Sequence, residues 1–431
     1  RYTQFDVDNK GAVLNNDRNN NPFVVKGSAQ LILNEVRGTA SKLNGIVTVG
    51  GQKADVIIAN PNGITVNGGG FKNVGRGILT TGAPQIGKDG ALTGFDVRQG
   101  TLTVGAAGWN DKGGADYTGV LARAVALQGK LQGKNLAVST GPQKVDYASG
   151  EISAGTAAGT KPTIALDTAA LGGMYADSIT LIANEKGVGV KNAGTLEAAK
   201  QLIVTSSGRI ENSGRIATTA DGTEASPTYL SIETTEKGAA GTFISNGGRI
   251  ESKGLLVIET GEDISLRNGA VVQNIGVKNA GTLEAAKQLI VTSSGRIENS
   301  GRIATTADGT EASPTYLSIE TTEKGAAGTF ISNGGRIESK GLLVIETGED
   351  ISLRNGAVVQ NNGSRPATTV LNAGHNLVIE SKTNVNNAKG PATLSADGRT
   401  VIKEASIQTG TTVVNNAKGP ATLSADGRTV I

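Results

Sequence analysis

Apolar positions in this chain come in short runs, and glycine or polar turn residues separate one run from the next. Residues 2–7 and 12–14 flank a turn cluster at 8–11, and residues 31–36 form the next run. Short β-branched and aliphatic runs bounded by turn residues predict strands. The chain is therefore expected to consist of many short strands.

The pattern is clearest in residues 54–71. The β-branched run 56–58 is expected to end at Asn60-Pro61, because proline has no N–H to donate to a strand pairing and asparagine favours turns. Gly63 then permits a positive φ before an extended segment resumes. The stretch predicts a strand, a tight turn and a second strand.

Residues 117–125 have a composition that also suits a helix. Apolar residues continue beyond them at strand-like spacing, at Leu131, Leu136 and Val138. We therefore predict a strand for this segment.

Beyond Gly189 the sequence repeats itself. Residues 189–274 recur unchanged as 276–361, an offset of 87 residues, and residues 385–402 recur as 414–431. A shorter asparagine–glycine signal returns inside the long unit, for example at Asn192. Repeats of about 20 to 35 residues with strand-forming sequences indicate a β-solenoid.

A thin coil cannot bury its own apolar side chains, so runs such as Leu202–Val204 leave water only by stacking on neighbouring coils. Parallel strands in adjacent coils then lie about 4.8 Å apart. Asparagines at equivalent turns are expected to pair their side-chain amides from coil to coil. Leu202 and its repeat Leu289 are both expected inside.

Composition supports a narrow, repetitive body. Glycine is 62 of 431 residues, roughly twice the usual share of about 7%, and aromatic residues are only 3%. The 41 basic and 38 acidic side chains are interspersed, so no basic patch indicates nucleic-acid binding. There is no cysteine, which excludes disulfides, thiol catalysis and cysteine metal sites.

Candidate chemistry is sparse. Residues 82–89 nearly spell a phosphate-binding loop, but Asp89 stands where a hydroxyl residue is required. His375 is the sole histidine, and the sequence offers it no metal partner, so it is expected to be a solvated turn residue. A carboxylate pair of Glu259 with residues 262–263 is expected to be structural. No catalytic residue, metal or cofactor is predicted.

Several spaced segments together resemble one family. Asn60-Pro61-Asn62-Gly63-Ile64 resembles the Asn-Pro-Asn-Gly-Ile signature in the secretion domain of two-partner secretion exoproteins, the filamentous haemagglutinins and contact-dependent growth inhibition proteins. Asn21-Pro22-Phe23-Val24 resembles the family's earlier Asn-Pro-Asn-Leu signature, with Phe23 in place of its second asparagine. Further similar segments occur in the same order at residues 31–36, 43–45, 54–55, 171–176 and 187–190.

The resemblance implies an all-β fold, a right-handed parallel β-helix with an N-terminal cap and extra-helical strands. It implies that the chain is a secreted, non-enzymatic part of a large surface exoprotein. This exoprotein is expected to be associated with the outer membrane of a Gram-negative bacterium. The resemblance further implies a POTRA-containing outer-membrane transporter as partner and a target-cell receptor bound through absent regions. Residues 60–64 either are recognised by this transporter or form a turn that holds the first coils, and both interpretations stay open; residues 21–24 are a second, degenerate secretion motif. Adhesion and toxin delivery both remain open, and the chain is expected to be a monomer.

This interpretation divides the chain into a secretion domain at 1–188, a shaft of two identical units at 189–361 and further coils at 362–431. Two alternatives stay open. One is a polysaccharide-degrading β-helix enzyme, which needs a cluster of acidic calcium ligands and a catalytic arginine or lysine on one face. The other is an engineered or self-assembling scaffold, because 86 unchanged residues in natural repeats are unusual.

Overall fold

The computed structural model describes residues 1–24, 26–223, 226–236, 238–259, 264–267, 271–274, 276–279, 282–285, 288–293, 295–311, 314–416 and 421–424. The chain forms two compact units. The N-terminal unit contains residues 1–220 and 233–236, and the C-terminal unit contains residues 221–232 and 237–431.

Short strands make up nearly all of the regular structure. The N-terminal unit contains β1 (Ala12–Asn16), β2 (Leu31–Glu35), β3 (Ser41–Leu43), β4 (Ile46–Gly51), β5 (Ala54–Ala59), β6 (Ile64–Val66), β7 (Gly70–Lys72), β8 (Val74–Thr80), β9 (Ala83–Ile86), β10 (Leu92–Val97), β11 (Thr101–Val104), β12 (Trp109–Asn110), β13 (Ala115–Ala122), β14 (Ala124–Leu127), β15 (Lys130–Gln132), β16 (Asn135–Thr140), β17 (Gln143–Asp146), β18 (Ile152–Ala154), β19 (Ile164–Thr168), β20 (Gly173–Ala183), β21 (Gly189–Asn192), β22 (Thr195–Ser206), β23 (Ile210–Asn212) and β24 (Arg215–Thr218). Strand β25 (Tyr229–Thr234) is divided between the two units.

The C-terminal unit continues the same pattern. It contains β26 (Phe243–Asn246), β27 (Arg249–Glu251), β28 (Leu255–Glu259), β29 (Ile264–Arg267), β30 (Val271–Asn274), β31 (Gly276–Asn279), β32 (Thr282–Ala285), β33 (Gln288–Ser293), β34 (Ile297–Asn299), β35 (Arg302–Thr305), β36 (Tyr316–Thr321), β37 (Phe330–Asn333), β38 (Arg336–Ser339), β39 (Leu342–Thr347), β40 (Ile351–Arg354), β41 (Val358–Asn361), β42 (Thr369–Ala373), β43 (Leu377–Glu380), β44 (Asn384–Ala396), β45 (Thr400–Lys403), β46 (Ser406–Asn416) and β47 (Ala421–Ser424). The described helices are short 3₁₀ turns at Pro22–Val24, Gly238–Gly241 and Gly325–Gly328, and none of them has the length or apolarity needed to cross a membrane.

Three parallel sheets run through the N-terminal unit, and consecutive strands visit them in turn. Sheet A stacks β2, β5, β8, β13, β16 and the second halves of β20 and β22. Sheet B stacks β3, β6, β11, β14, β19, β21 and β23. Sheet C stacks β12, β15, the first halves of β20 and β22, and β24. Three strands per coil in parallel register confirm the predicted parallel β-helix, and its right-handed winding stays a prediction.

Inward-facing residues of successive coils form the core. Leu102, Val125 and Leu166 are paired in register in sheet B, and each is at most 2% exposed. Burying each such side chain stabilises the fold by roughly 1.5 to 3 kcal/mol. Residues 117–125 are extended as predicted except at Arg123, where the chain turns from β13 of sheet A to β14 of sheet B.

The N-terminal cap is a separate three-stranded parallel sheet in the order β1-β4-β7. The predicted strand at residues 2–7 is wrong, because only isolated bridges form there, Tyr2 with Val36 and Val7 with Leu43. The Asp6 side chain accepts the N–H of Lys42 at 2.8 Å. The Asp6 carboxylate therefore occupies a backbone N–H that continuous strand pairing would have used.

An antiparallel sheet lies outside the coils, in the order β18-β17-β10-β9. Its Phe95 and Val145 pack with the outward-facing Ile57, Ile78 and Leu121 of sheet A. The run 56–58 is therefore apolar without alternation, because both faces of sheet A are covered here. This sheet confirms the extra-helical strands.

The phosphate-loop-like residues 82–89 belong to this sheet. Residues 87–91 form the hairpin turn between β9 and β10, with Gly87 N–H donating to the carbonyl of Ala91 at 2.8 Å. No helix follows this turn, so it lacks the helix N-terminus that a phosphate-binding loop presents.

In the C-terminal unit each strand from β26 to β40 pairs in parallel with the third strand after it, which gives three strands per coil. The strands of the second long repeat lie 87 residues after those of the first, from β21 and β31 to β30 and β41, with β22 corresponding to both β32 and β33. Leu202 and Leu289 are both fully buried, as predicted. The carboxylate pair of Glu259 with residues 262–263 lies partly outside the described residues.

Asparagine side chains pair between coils, as predicted. Asn192 Nδ2 donates to Asn212 Oδ1 at 2.8 Å, and the repeated residues Asn279 and Asn299 make the same contact at 2.8 Å. In the next coil the partner of Asn299 is Ser332, so the pairing of asparagines is interrupted there. It occurs again one coil later, where Asn355 Nδ2 donates to Asn333 Oδ1 at 2.7 Å.

The short repeat does not keep one place in the coil. Val385 of its first copy pairs with Ile407, whereas Val414, the corresponding residue of the second copy, pairs with Leu394. Residues 417–420 and 425–431 of the second copy lie outside the described residues. Identical sequences therefore start at different positions around the coil.

Candidate functional site

The turn formed by Asn60-Pro61-Asn62-Gly63 connects β5 of sheet A to β6 of sheet B, and Ile64 is the first residue of β6. Gly63 N–H donates to the Asn60 carbonyl at 3.0 Å, which closes the turn. The predicted strand, turn and strand are therefore present.

Asn60 is fully buried and links three coils. Its Nδ2 donates to the carbonyl of Thr39 at 2.8 Å and to Ser41 Oγ at 3.0 Å, both in the preceding coil. Its backbone N–H donates to the carbonyl of Thr80 at 2.8 Å, in the following coil. Its Oδ1 accepts the N–H of Asn62 at 3.0 Å. Aspartate lacks the Nδ2 donor and cannot make the same set of bonds.

Gly63 is required by its backbone conformation. Its φ is +110°, a region that L side chains rarely adopt, and a Cβ here would lie 3.2 Å from the carbonyl oxygen of Thr101. Its own carbonyl accepts the N–H of Ser41 at 3.1 Å. Gly63 and the buried Ile64 therefore belong to the stacking of coils.

Pro61 and Asn62 face outward. Pro61 is half-buried and Asn62 is exposed, although Asn62 Nδ2 also donates to the carbonyl of Gly38. The motif thus has a buried part, Asn60, Gly63 and Ile64, and a surface part, Pro61 and Asn62. Only the surface part can contact another protein.

An open cleft of about 380 Å³ lies beside the surface part. It is lined by Pro61, Asn62, residues 99–101, Arg123, Ala124, residues 158–160 and Pro162.

One wall of the cleft is held by a buried ion pair. The Arg123 guanidinium binds Glu185 with two contacts of 2.8 and 3.1 Å, and the two side chains are 5% and 10% exposed. Arg123 also donates to the carbonyl of Ala158 at 2.5 Å. The hydrogen bond to the Glu185 carboxylate raises the pKa of Arg123, so the guanidinium stays charged.

The second motif, Asn21-Pro22-Phe23-Val24, forms a separate turn. Asn21 Oδ1 accepts the N–H of Phe23 at 3.0 Å, the same side-chain turn that Asn60 makes, and a 3₁₀ turn spans Pro22–Val24. Phe23 is 94% exposed. Within the described residues the two motifs share no hydrogen-bond partner, so the fold does not join them into one site.

Sequence reasoning missed a buried carboxylate. Asp111 is fully buried and accepts hydrogen bonds from Phe71 N–H at 2.6 Å, Trp109 Nε1 at 2.9 Å and Thr118 Oγ1 at 2.7 Å. Phe71 and Trp109 also meet edge to face at 5.3 Å. The sole tryptophan of the chain, two residues before Asp111, was the available signal.

Burial raises the pKa of Asp111 to about 6, against the opposing effect of its three hydrogen bonds. A raised carboxyl pKa stabilises the fold when the group is protonated, so this contribution is present below pH 3.8 and is lost as the pH rises towards 6. The loss amounts to about 3 kcal/mol at 1.4 kcal/mol per pKa unit.

We therefore expect the free energy of unfolding of the wild type to contain a contribution that decreases as the pH rises from about 4 to about 7. Asp111→Asn should remove this contribution, because asparagine does not titrate. Urea unfolding of both proteins across this range measures it. Parallel pH profiles for the two proteins would contradict the assignment.

Comparison with known proteins identifies the family. The model of the TPS secretion domain family matches residues 1–212. The chain is 43% identical over 230 residues to a Toxin CdiA of Yersinia pestis, covering 50% of this chain and 7% of that protein. It is 31% identical over 418 residues to a 16S rRNA endonuclease CdiA of Enterobacter cloacae subsp. cloacae, covering 94% of this chain and 12% of that protein.

Among solved structures, the crystal structure of a filamentous hemagglutinin secretion domain has a TM-score of 0.47 and 32% identity, covering 63% of this chain and 87% of the other. The chain spans only 7% to 12% of the length of the two curated relatives. The matched family model and the sequence identity together agree with the order of motifs found above. The chain therefore belongs to the two-partner secretion exoproteins, and its N-terminal region, residues 1–212, is a TPS secretion domain.

Proposed function

We propose that this chain is a non-enzymatic part of a larger surface exoprotein, in which a secretion domain at 1–188 precedes a shaft at 189–361 and further coils at 362–431. The family model, which matches residues 1–212, supports the first of these assignments. The shaft places regions outside this chain away from the surface of a Gram-negative bacterium. Those regions carry a toxin, as the names of the two relatives suggest, or bind a target-cell receptor.

We further propose that the secretion domain is exported through a POTRA-containing outer-membrane transporter, and that Asn60–Ile64 and Asn21–Val24 act in this step. The observation that carries the proposal is the division of the first motif. Asn60 links three coils, whereas Pro61 and Asn62 lie at the surface beside a cleft. One motif can thus serve both folding and recognition.

Export through a co-expressed partner transporter tests both roles. We expect Asn60→Ala to reduce the extracellular protein, because it removes the donor to Thr39 and Ser41 and lowers the free energy of unfolding by about 2 kcal/mol. We expect Pro61→Ala to reduce export with less than about 1 kcal/mol of destabilisation, because the ring is only half-buried. Extracellular protein is measured on blots, and stability by urea unfolding of refolded chains.

Thr65→Ala is the matched control, since Thr65 is exposed on β6 directly after the motif. Its export should equal that of the wild type. If Asn60→Ala and Pro61→Ala are also exported at wild-type levels, the motif has no role in secretion. If only Asn60→Ala is impaired, the motif acts through folding alone.

A further inference from the structure

His375 lies where two turns of the C-terminal unit stack. Residues 348–350 join β39 to β40, and residues 374–376 join β42 to β43. Since β40 pairs with β43, the second turn sits one coil beyond the first, and His375 N–H donates to the Glu349 carbonyl at 2.9 Å. The sequence offered His375 no metal partner, and this expectation is wrong, because stacking brings two carboxylates beside it.

Three ligand atoms converge at this place. His375 Nδ1 lies 3.1 Å from Glu349 Oε1 and 3.2 Å from Asp350 Oδ1. One ligand atom from each residue lies within 4.8 Å of the others. The side chains of Glu349, Asp350 and His375 are 24%, 37% and 55% exposed, so an ion from solvent can reach them.

Both carboxylates are held in place by backbone donors. Glu349 Oε2 accepts the N–H of Gly325 at 2.9 Å, and Asp350 Oδ1 accepts the N–H of Asn376 at 2.9 Å. His375 Nδ1 and one oxygen of each carboxylate therefore face one another, and imidazole nitrogen and carboxylate oxygen are atoms that coordinate transition-metal ions.

We propose that Glu349, Asp350 and His375 bind a divalent transition-metal ion of the zinc type. Zinc lies about 2.0 to 2.2 Å from nitrogen and oxygen ligands, which places neighbouring ligand atoms about 3.3 to 3.6 Å apart at tetrahedral angles. The two Nδ1–oxygen distances of 3.1 and 3.2 Å are slightly shorter, so small side-chain movements bring the three ligand atoms to this spacing. An imidazole in the set selects against magnesium and calcium, which take oxygen ligands.

Water completes the coordination on the exposed side. Asn376 Nδ2 lies 2.8 Å from His375 Nδ1. Metal binding at Nδ1 displaces this hydrogen bond. The site would cross-link the last coil of the shaft to the first of the further coils, independently of secretion.

The test is zinc titration of the full chain by calorimetry, together with NMR of the imidazole. His375 is the sole histidine, so one imidazole signal reports the site. We expect one zinc per chain, loss of binding in His375→Gln, and at least about tenfold weaker binding in Glu349→Gln and Asp350→Asn. Magnesium in excess should not displace the zinc. Thermal unfolding without metal verifies that each variant is folded.

The first repeat supplies a matched control. Glu262 has the same sequence context as Glu349. The pairing of Ile264 with Leu283 corresponds to that of Ile351 with Leu377, and in the sequence glycine stands two residues before Leu283 where His375 stands two residues before Leu377. Glu262→Gln should bind zinc like the wild type.

Three results would overturn the proposal. The first is no zinc binding by the folded wild-type chain, which leaves the three side chains in contact without a metal ion. The second is wild-type affinity in both Glu349→Gln and Asp350→Asn, which means binding by an exposed histidine alone. The third is an equal loss in Glu262→Gln, which means unspecific binding to carboxylates.

Discussion

Replacement of Arg123 by alanine is expected to lower the free energy of unfolding of the N-terminal unit by about 3 kcal/mol, because it leaves the Glu185 carboxylate buried without its partner. The Arg123 and Glu185 side chains are 5% and 10% exposed. The substitution also removes the donor to the carbonyl of Ala158, which holds one wall of the cleft beside Pro61 and Asn62. Urea unfolding of the purified chain measures the loss.

The double variant Arg123→Met with Glu185→Met separates charge burial from packing. Removing both charges leaves no unpaired ion, so we expect this variant to be clearly more stable than Arg123→Ala. If the double variant is as unstable as the single one, the ion pair is not the cause. The same proteins show whether the cleft matters for export, because the double variant keeps the bulk but loses the contact to Ala158.

Deletion of residues 276–362 is expected to leave a folded chain. The strand edge at the end of the first repeat has the same sequence as the edge at the end of the second. Strands β28 and β39 are identical at the residues that pair with the following coil. Leu256 now pairs with Val277, and Leu343 with Thr369. After the deletion Leu256 would meet Thr369 as Leu343 does. Each repeat touches mainly its neighbours, so the remaining coils lose no other contact.

A smaller deletion should be far more damaging. Removing residues 276–285 takes out β31 and β32 but leaves the third strand of their coil, so every later strand moves to a different sheet. The inward apolar residues then lose their register with the coil before. We expect aggregation or loss of cooperative unfolding, seen by far-UV circular dichroism and gel filtration. A folded short deletion, or an aggregated long one, would show that coils are not interchangeable units.

Much of the local structure follows from the sequence. Asn60-Pro61 stops a strand because proline has no N–H, and Gly63 takes the positive φ that the turn requires. The identical repeats have strands at identical positions, because the same apolar pattern meets the same kind of neighbouring edge. The pairing of Asn192 with Asn212 also follows from equal spacing.

Other features depend on the number of residues between stacked positions, which varies from coil to coil. The antiparallel sheet extends from two of the A-to-B turns, so Phe71 meets Asp111 across 40 residues. Neither the burial of Asp111 nor its three donors can be read from its own segment. The antiparallel sheet also covers the outward-facing side chain of Ile57.

The sequence by itself determined the strand-forming runs, the turns, the phase of the long repeat and the family to which the motifs belong. The tertiary structure alone decided which turns stack: Asn60 upon Thr39 and Ser41, Arg123 upon Glu185, and His375 upon Glu349. The physical reason is that a strand's apolar alternation specifies which side chains point inward, whereas the partner of a turn residue depends on the length of the intervening coil and its insertions.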